Sequence, residues 1–284
     1  MSYLYVGIAV VLLAFEFACS KKYQANEGTD IVAGLRFNGL TGLTTSIILL
    51  CILGFRMEWS AYSLVLATVQ TLCCIFYSIL GFRVLRMGGM ALYSTFLMSG
   101  GMLLPYLVGV IFWEETLSVF RIIGVVLILG AVVLSNFSRG KTSPKLILLC
   151  CVVFLLNGMV SIISKLHQIS TVPTVGTTEF VIYTGLTKSL VCFAVLPFLK
   201  KPGSFMSHKQ SYGVIVGAAL IGGTSYLLQL LGAKDLPATV LYPMITGGCV
   251  MVSAIAGRVF FKEKITTRQV ISIALCLAGT LLFL

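Results

Sequence analysis

Gly109-Val110-Ile111-Phe112-Trp113-Glu114-Glu115-Thr116-Leu117-Ser118 and Gly257-Arg258-Val259-Phe260-Phe261-Lys262-Glu263-Lys264-Ile265-Thr266 are two versions of one passage, 148 residues apart. In each, an apolar run closes on two aromatic residues. An acidic residue follows, and a branched apolar residue and a hydroxyl open the next apolar run. At the same offset Gly100 meets Gly248, Arg86 meets Lys234 and Glu115 meets Glu263. At an offset of 144, Ser20-Lys21 meets Ser164-Lys165 and Gln24 meets Gln168. Near-constant offsets over most of each half are the mark of an internal duplication, with copies over residues 1–139 and 145–284.

Each copy is built of long apolar runs. The chain has 284 residues, 58% hydrophobic and only 10% charged, and its mean hydropathy is +1.04. Soluble domains carry about 25% charged residues, so this chain could not cover a water-facing globule. A cytosolic enzyme, a secreted domain and a disordered tail are excluded. A β-barrel is disfavoured because the apolar runs are continuous rather than alternating. A crossing helix needs about 20 apolar residues. Ten such stretches are predicted, at about 3–20, 31–54, 61–82, 88–112, 118–136, 146–164, 177–199, 212–232, 237–257 and 268–284. The fold expected is an all-α polytopic membrane protein of ten transmembrane helices, as two inverted five-helix repeats. The longest polar connection, Lys200 to Ser211, is too short for an extramembrane domain. The first span reads as a true span rather than a cleaved leader, because its basic residues Lys21 and Lys22 follow the apolar run instead of preceding it.

The net charge of +11 is read as a membrane feature and not as a nucleic-acid footprint. Loop cations hold a membrane protein against anionic lipid and set its orientation. The odd connections carry 14 Lys and Arg, the even ones Arg56, Arg121, Lys165 and Lys234, which places the odd connections in the cytoplasm and both termini outside. Trp59 and Trp113 sit at span ends as interface anchors. The nine cysteines lie in apolar runs without a CxxC pair and read as small packing residues. His167 and His208 read as lone loop histidines, and no metal or other cofactor is expected.

Five spans per copy is an odd number, so the second copy enters the membrane upside down. Inverted repeats recur in secondary transporters, with the solute site near the midplane between the copies. Exchanging the conformations of the halves turns an outward-open state into an inward-open one of similar energy.

Glu115-x-Leu117-Ser118-x-x-Arg121-x-x-Gly124 and Glu263-x-Ile265-Thr266-x-x-Gln269 resemble the signature of EamA-type repeats of the drug/metabolite transporter superfamily. Arg36-Phe37 resembles that family's R-F element, and Lys21 and Lys165 resemble the lysine ending the first helix of each repeat. Leu85-Arg86, Ala233-Lys234 and Leu241-Tyr242-Pro243 fit the same pattern. The second copy departs from it, with Glu179-Phe180 in place of Arg36-Phe37 and Ser272 in place of the signature glycine. Glu16 stands where many relatives carry an Asn. The resemblance implies a ten-helix transporter whose first four helices in each half surround a central cavity.

Carboxylates inside a bilayer are costly and need a reason. Glu16 lies past the middle of the first span and Glu179 near the start of the seventh. Either binds a proton or a cationic solute, since low dielectric favours a proton-accepting carboxylate; or Glu16 pairs with Lys21 and Glu179 caps its helix. Arg36 pairs with Glu179 or a solute carboxylate, or snorkels. Lys188, deeper, faces the cavity or pairs within the bundle. Gln70, Asn157 and Gln229, with Tyr77, Tyr93, Tyr183, Tyr226 and Tyr242, are the neutral candidates for a pocket. The tyrosines either cage a quaternary ammonium or pack. Glu179 and Tyr183 share a helix face. Glu115 and Glu263 are read as helix caps. The glycine pairs 88–89, 100–101, 222–223 and 247–248 let helices approach closely.

The function expected is secondary transport of a small organic metabolite by alternating access, as a proton-coupled or facilitative exporter. Uptake of a small cationic or sugar-like solute and a non-transporting scaffold are the alternatives. An intramembrane enzyme lacks the clustered Ser/His, paired Asp or zinc residues it would need. The partners expected are the solute, protons and membrane lipid, with no nucleic acid, as a monomer or homodimer in the bacterial inner membrane.

Overall fold

The structure, a computed structural model, describes residues 1–86, 90–135, 143–199, 208–261 and 266–283. Among them are ten α-helices: α1 (Ser2–Glu27), α2 (Ile31–Ile52), α3 (Ala61–Arg86), α4 (Met90–Phe112), α5 (Val119–Ser135), α6 (Pro144–Ile169), α7 (Thr177–Val195), α8 (Gln210–Asp235), α9 (Ala238–Phe261) and α10 (Thr267–Leu281). A short 3-10 turn, Leu196–Phe198, follows α7. The helix boundaries are chemically marked. Gly28 takes a left-handed φ of 94° to close α1, which a side chain would resist. Asp30 Oδ1 accepts from Ala33 N at 2.8 Å to open α2. Ser143 and Pro144 open α6, and a Thr266–Gln269 capping box opens α10; both follow the usual N-terminal chemistry.

Eight of the helices are long and apolar enough to cross a membrane. The chain is an integral, multi-pass α-helical membrane protein. Two of the ten expected spans are shorter among the described residues. The stretches 118–136 and 268–284 give helices of 17 and 15 residues, about 26 and 23 Å at 1.5 Å per residue. A hydrocarbon core is about 30 Å. The first crossing helix, in contrast, runs to Glu27, well past residue 20.

Helix ends collect at two faces. At one, Ser2 Oγ donates to Asp235 Oδ2 at 2.5 Å. There too, Lys165 Nζ donates to the carbonyls of Ala233 and Leu236 at 2.5 and 2.7 Å. At the other, Glu27 Oε1 accepts from Ser211 Oγ at 2.6 Å and from His208 N at 3.0 Å. The side chains that face away from the bundle are large and apolar, among them Phe76, Ile111, Val126, Leu148 and Leu190, as lipid requires.

The helix pairings follow a pattern. α1 packs on α8 and α9, while α6 packs on α3 and α4; α2 packs on α7, α4 on α9 and α5 on α10. Exchanging each helix with the one five places away turns α1–α8 into α6–α3 and α1–α9 into α6–α4. It leaves the other three pairs unchanged. Two of those self-matched pairs meet glycine to glycine. A Cβ on Gly42 would lie 2.7 Å from the Gly185 carbonyl oxygen, and one on Gly185 would lie 2.7 Å from the Gly42 oxygen. Gly124 and Gly279 face each other in the same reciprocal way, at 2.9 Å each. The largest apolar core joins α1, α4, α5, α9 and α10 through Val6, Met102, Ile128, Leu241 and Cys276.

Glu115 caps a helix, as its position suggested, but not its own. Its Oε1 and Oε2 accept from Ala238 N and Thr239 N at 2.6 and 2.7 Å, so the first half of the chain caps α9 in the second. Glu263, its counterpart, lies outside the described residues, as do Gly88, Gly89, Arg139, Lys141, Lys200, Lys201, Lys262 and Lys264. Glu115→Ala is expected to cost about 1–2 kcal/mol, the usual worth of an N-cap, read as a lower Tm in detergent. Glu115→Gln, which keeps an acceptor oxygen, should recover part of it.

Candidate functional site

The carboxylate of Glu16 is eleven residues from the end of α1, about 16 Å of helix rise. It lies against Gly222, at the centre of α8: a Cβ there would fall 2.7 and 2.8 Å from its two oxygens. Glycine is therefore what leaves room for the carboxylate between α1 and α8. Lys188, from the second half of α7, is within electrostatic range of Glu16. Tyr77 on α3 is in range as well, and Tyr77 neighbours Tyr93 of α4. Cys74 Sγ lies 3.6 Å from the Tyr77 hydroxyl. The Tyr93 hydroxyl packs on Gly81 of α3.

A polar chain continues from there. Gln70 Nε2 donates to the Tyr226 hydroxyl at 2.6 Å, and Ser164 Oγ lies 3.1 Å from that same hydroxyl. The Tyr242 hydroxyl, close to Tyr226, donates to the Ser161 carbonyl. Gln70 is only 5% exposed, yet its Oε1 has no partner among the described residues. A buried amide oxygen left unpaired costs roughly 1–3 kcal/mol. A solute or water donor at that point would relieve it. Seven of the sequence candidates fall into two groups: Glu16 with Lys188 and Tyr77 in electrostatic range and Tyr93 beside Tyr77, and the Gln70–Tyr226 hydrogen bond with Tyr242 close by.

The other five have different employment. Glu179 is at the third position of α7, where Oε2 accepts from Gly176 N at 2.5 Å and Oε1 from Glu58 N at 2.9 Å. Tyr183, one turn on, donates to the Glu58 carbonyl at 3.0 Å and meets Trp59 edge-on. The shared face of Glu179 and Tyr183 therefore clamps the α2–α3 connection. Arg36 does not pair with Glu179. It lies near the start of α2, beside Tyr23, while Glu58 follows the far end of that helix, about 24 Å along the axis. Glu16 makes no ion pair with Lys21 among the described residues. Asn157 Nδ2 donates to the Leu97 carbonyl at 2.7 Å and packs on Gly101. Gln229 Nε2 donates to Ser225 Oγ at 3.2 Å, and that hydroxyl donates to the Ala9 carbonyl at 2.7 Å. Both serve helix packing.

Two residues read as loop residues are buried in α6. Lys165 is 4% exposed and ends α8 by donating to its last carbonyls, the favoured place for a cation. His167 is stacked on Phe180, with ring centroids 3.7 Å apart. Ser63 Oγ lies 3.0 Å from its Nε2, and Gln168 Nε2 lies 2.9 Å from its Nδ1. Val175 N donates to Ser63 Oγ, and Thr177 Oγ1 donates to Gln168 Oε1. This network ties α3, α6 and the start of α7 at the Glu179 face.

The comparisons bear on this geometry. Residues 144–284 match the EamA-like transporter family. No curated protein matches the chain. A solved structure, described only as the crystal structure of a protein, superposes with a TM-score of 0.78 over 99% of this chain and 95% of its own, at 15% identity; it shares the fold. Over residues 144–284, the segment that supplies Lys165, Tyr226 and Tyr242, the chain belongs to the EamA-like transporter family.

Proposed function

We propose that the protein is a secondary transporter that moves a small organic metabolite by alternating access, as a facilitative or proton-coupled exporter. Two inverted five-helix repeats, residues 1–139 and 145–284, make up the carrier. The solute passes along the depth of the bundle from Tyr93 past Tyr77, Glu16 and Lys188 to Gln70, Tyr226 and Tyr242. The observation that carries this reading is Glu16 itself: a carboxylate deep in the bundle, fitted against a glycine, with no hydrogen bond or ion pair among the described residues. A structural carboxylate in a bilayer is bonded. In this chain Glu27, Asp30, Glu115 and Glu179 are all bonded at helix ends.

The exchange symmetry of the helix pairings and the reciprocal glycine contacts support the inverted duplication. They also supply what rocking needs, since close glycine crossings let two halves pivot while staying packed. The membership of a transporter family favours transport over intramembrane catalysis. The test is flux of a broad panel of metabolites into and out of liposomes holding the purified chain, with and without a pH gradient. A solute moved down its own gradient supports a facilitative carrier, and one accumulated only with the proton gradient supports coupling. No movement of any solute would favour a scaffold that kept the carrier fold.

A further inference from the structure

The two halves make some of their mirrored contacts twice and others only once. Ser63 and Ser211 are 148 residues apart. Ser63 Oγ on α3 lies 3.0 Å from His167 Nε2 on α6, and Ser211 Oγ on α8 donates to Glu27 Oε1 on α1 at 2.6 Å. His167 and Tyr23, 144 residues apart, each lie against the phenylalanine near the start of the following helix, Phe180 and Phe37. These contacts are made at both faces. Those of Ser164-Lys165 are not. Ser164 Oγ lies 3.1 Å from the Tyr226 hydroxyl, and Lys165 Nζ donates to the carbonyls of Ala233 and Leu236 at 2.5 and 2.7 Å, so α6 is tied to α8 at two levels. Their counterparts, Ser20-Lys21, are placed differently. Lys21 is exposed, whereas Lys165 is 4% exposed, and Ser20 Oγ accepts from Gln24 of its own helix at 3.4 Å. The helix packing agrees. Among the described residues α6 packs on α8, but their exchange partners α1 and α3 make no comparable contact; α7 packs on α8, but α2 and α3 make none either.

We propose that Ser164-Lys165 is a conformational strap that closes α6 on α8 at the Glu179 face in this structure, and that Ser20-Lys21 is its inverted counterpart, closing α1 on the last turn of α3 at the opposite face when the first strap opens. This rests on the transport reading above. Alternating access needs two states of similar energy, and each must be held by something. At the repeat offset Ala233 corresponds to Leu85, in the last turn of α3. The carbonyl end that favours a cation is therefore offered to Lys21 as it is to Lys165. A buried ammonium gives up water for charge-assisted bonds to carbonyls, and an exposed one keeps its water. With one lysine strapped and the other hydrated, the two states carry the same terms with the halves exchanged. A lysine that only capped α8 would have its mirror image on α3 in the same structure. The bundle is thus closed between α6 and α8 and parted between α1 and α3, toward the face at which α1 ends.

The test reads lysine acetylation in the full chain in lipid nanodiscs, which leave both faces open to reagent. The probe is a sulfonated N-hydroxysuccinimide acetate, and mass spectrometry gives the rate at each lysine relative to Lys145, exposed at the start of α6. In wild type Lys21 should react at least about tenfold faster than Lys165. Lys165→Gln should slow Lys21 at least about threefold, because loss of a charged hydrogen bond shifts a two-state balance by about tenfold. An unchanged or faster Lys21 in folded Lys165→Gln overturns the proposal: a lysine that only caps α8 would lower Tm without protecting Lys21. Should Lys165→Gln fail to elute as a folded monodisperse protein, pulsed electron spin resonance on an otherwise wild-type chain decides, with spin-labelled non-natural residues at positions 22 on α1 and 83 on α3. Two distances, the shorter bringing α1 onto α3, support the strap, and a single distance overturns it. Failure of the transport reading is separate. No solute flux in liposomes with Lys21 protection intact removes the carrier and leaves the two straps, whereas flux with Lys21 unprotected removes the straps and leaves the carrier.

Discussion

Glu16→Gln is expected to reduce solute flux in liposomes by about 100-fold while leaving the fold intact. A hydrogen bond to a charged group is worth about 1.5–3 kcal/mol, and about 2.7 kcal/mol corresponds to a hundredfold change. The carboxylate makes no bond that folding depends on among the described residues, so the amide should not lower Tm in detergent. Glu179→Gln is the opposite case. Its oxygens accept from Gly176 N and Glu58 N, so the substitution should cost about 1 kcal/mol in Tm and keep flux within about threefold. If Glu179→Gln abolished flux with an unchanged Tm, the site would have to move to the Trp59–Tyr183 end of the bundle.

That contrast marks what could be read in advance. Ten apolar stretches were legible because apolar runs of helical length have few alternatives, and each is helical in the structure. Glu16 was legible because of its cost alone. Glu179 was open in sequence between a ligand and a helix cap, and its bonds from Gly176 N and Glu58 N make it a cap. Lys165 and His167 read as loop residues because four polar residues in five, Ser164 to Gln168, normally end a span. Here α6 continues to Ile169, since Lys165 finds the carbonyl ends of α8 and His167 finds Ser63, 104 positions away. Long-range partners of this kind carry no local signal. The same holds for Glu115, whose motif suggests a cap on the next helix but whose hydrogen-bond partner is Ala238, 123 residues on.

The glycines divide just as sharply, and the second large effect follows from them. Gly217 on α8 has nothing within 4 Å of a built Cβ, so Gly217→Ala should be neutral or gain up to about 1 kcal/mol of helix propensity. Gly185→Ala meets two obstacles at once: the Gly42 carbonyl oxygen at 2.7 Å and, nearer still, the Ser46 Oγ. That hydroxyl donates to the Ile182 carbonyl at 3.1 Å and is buried, so it cannot swing aside without losing its partner. Overpacking costs about 1–3 kcal/mol and the displaced hydroxyl about 1 more, giving a loss of about 3 kcal/mol and a large fall in Tm in detergent. Ser46→Ala in the Gly185→Ala background should restore part of it by clearing the nearer obstacle, but not all, because the Gly42 backbone remains. The crossing of α2 and α7 is one of the pairs that the half-to-half exchange leaves unchanged. A rescued double variant that regains Tm but not flux would show that close approach at Gly42 and Gly185 serves the rocking of the two halves as well as their packing.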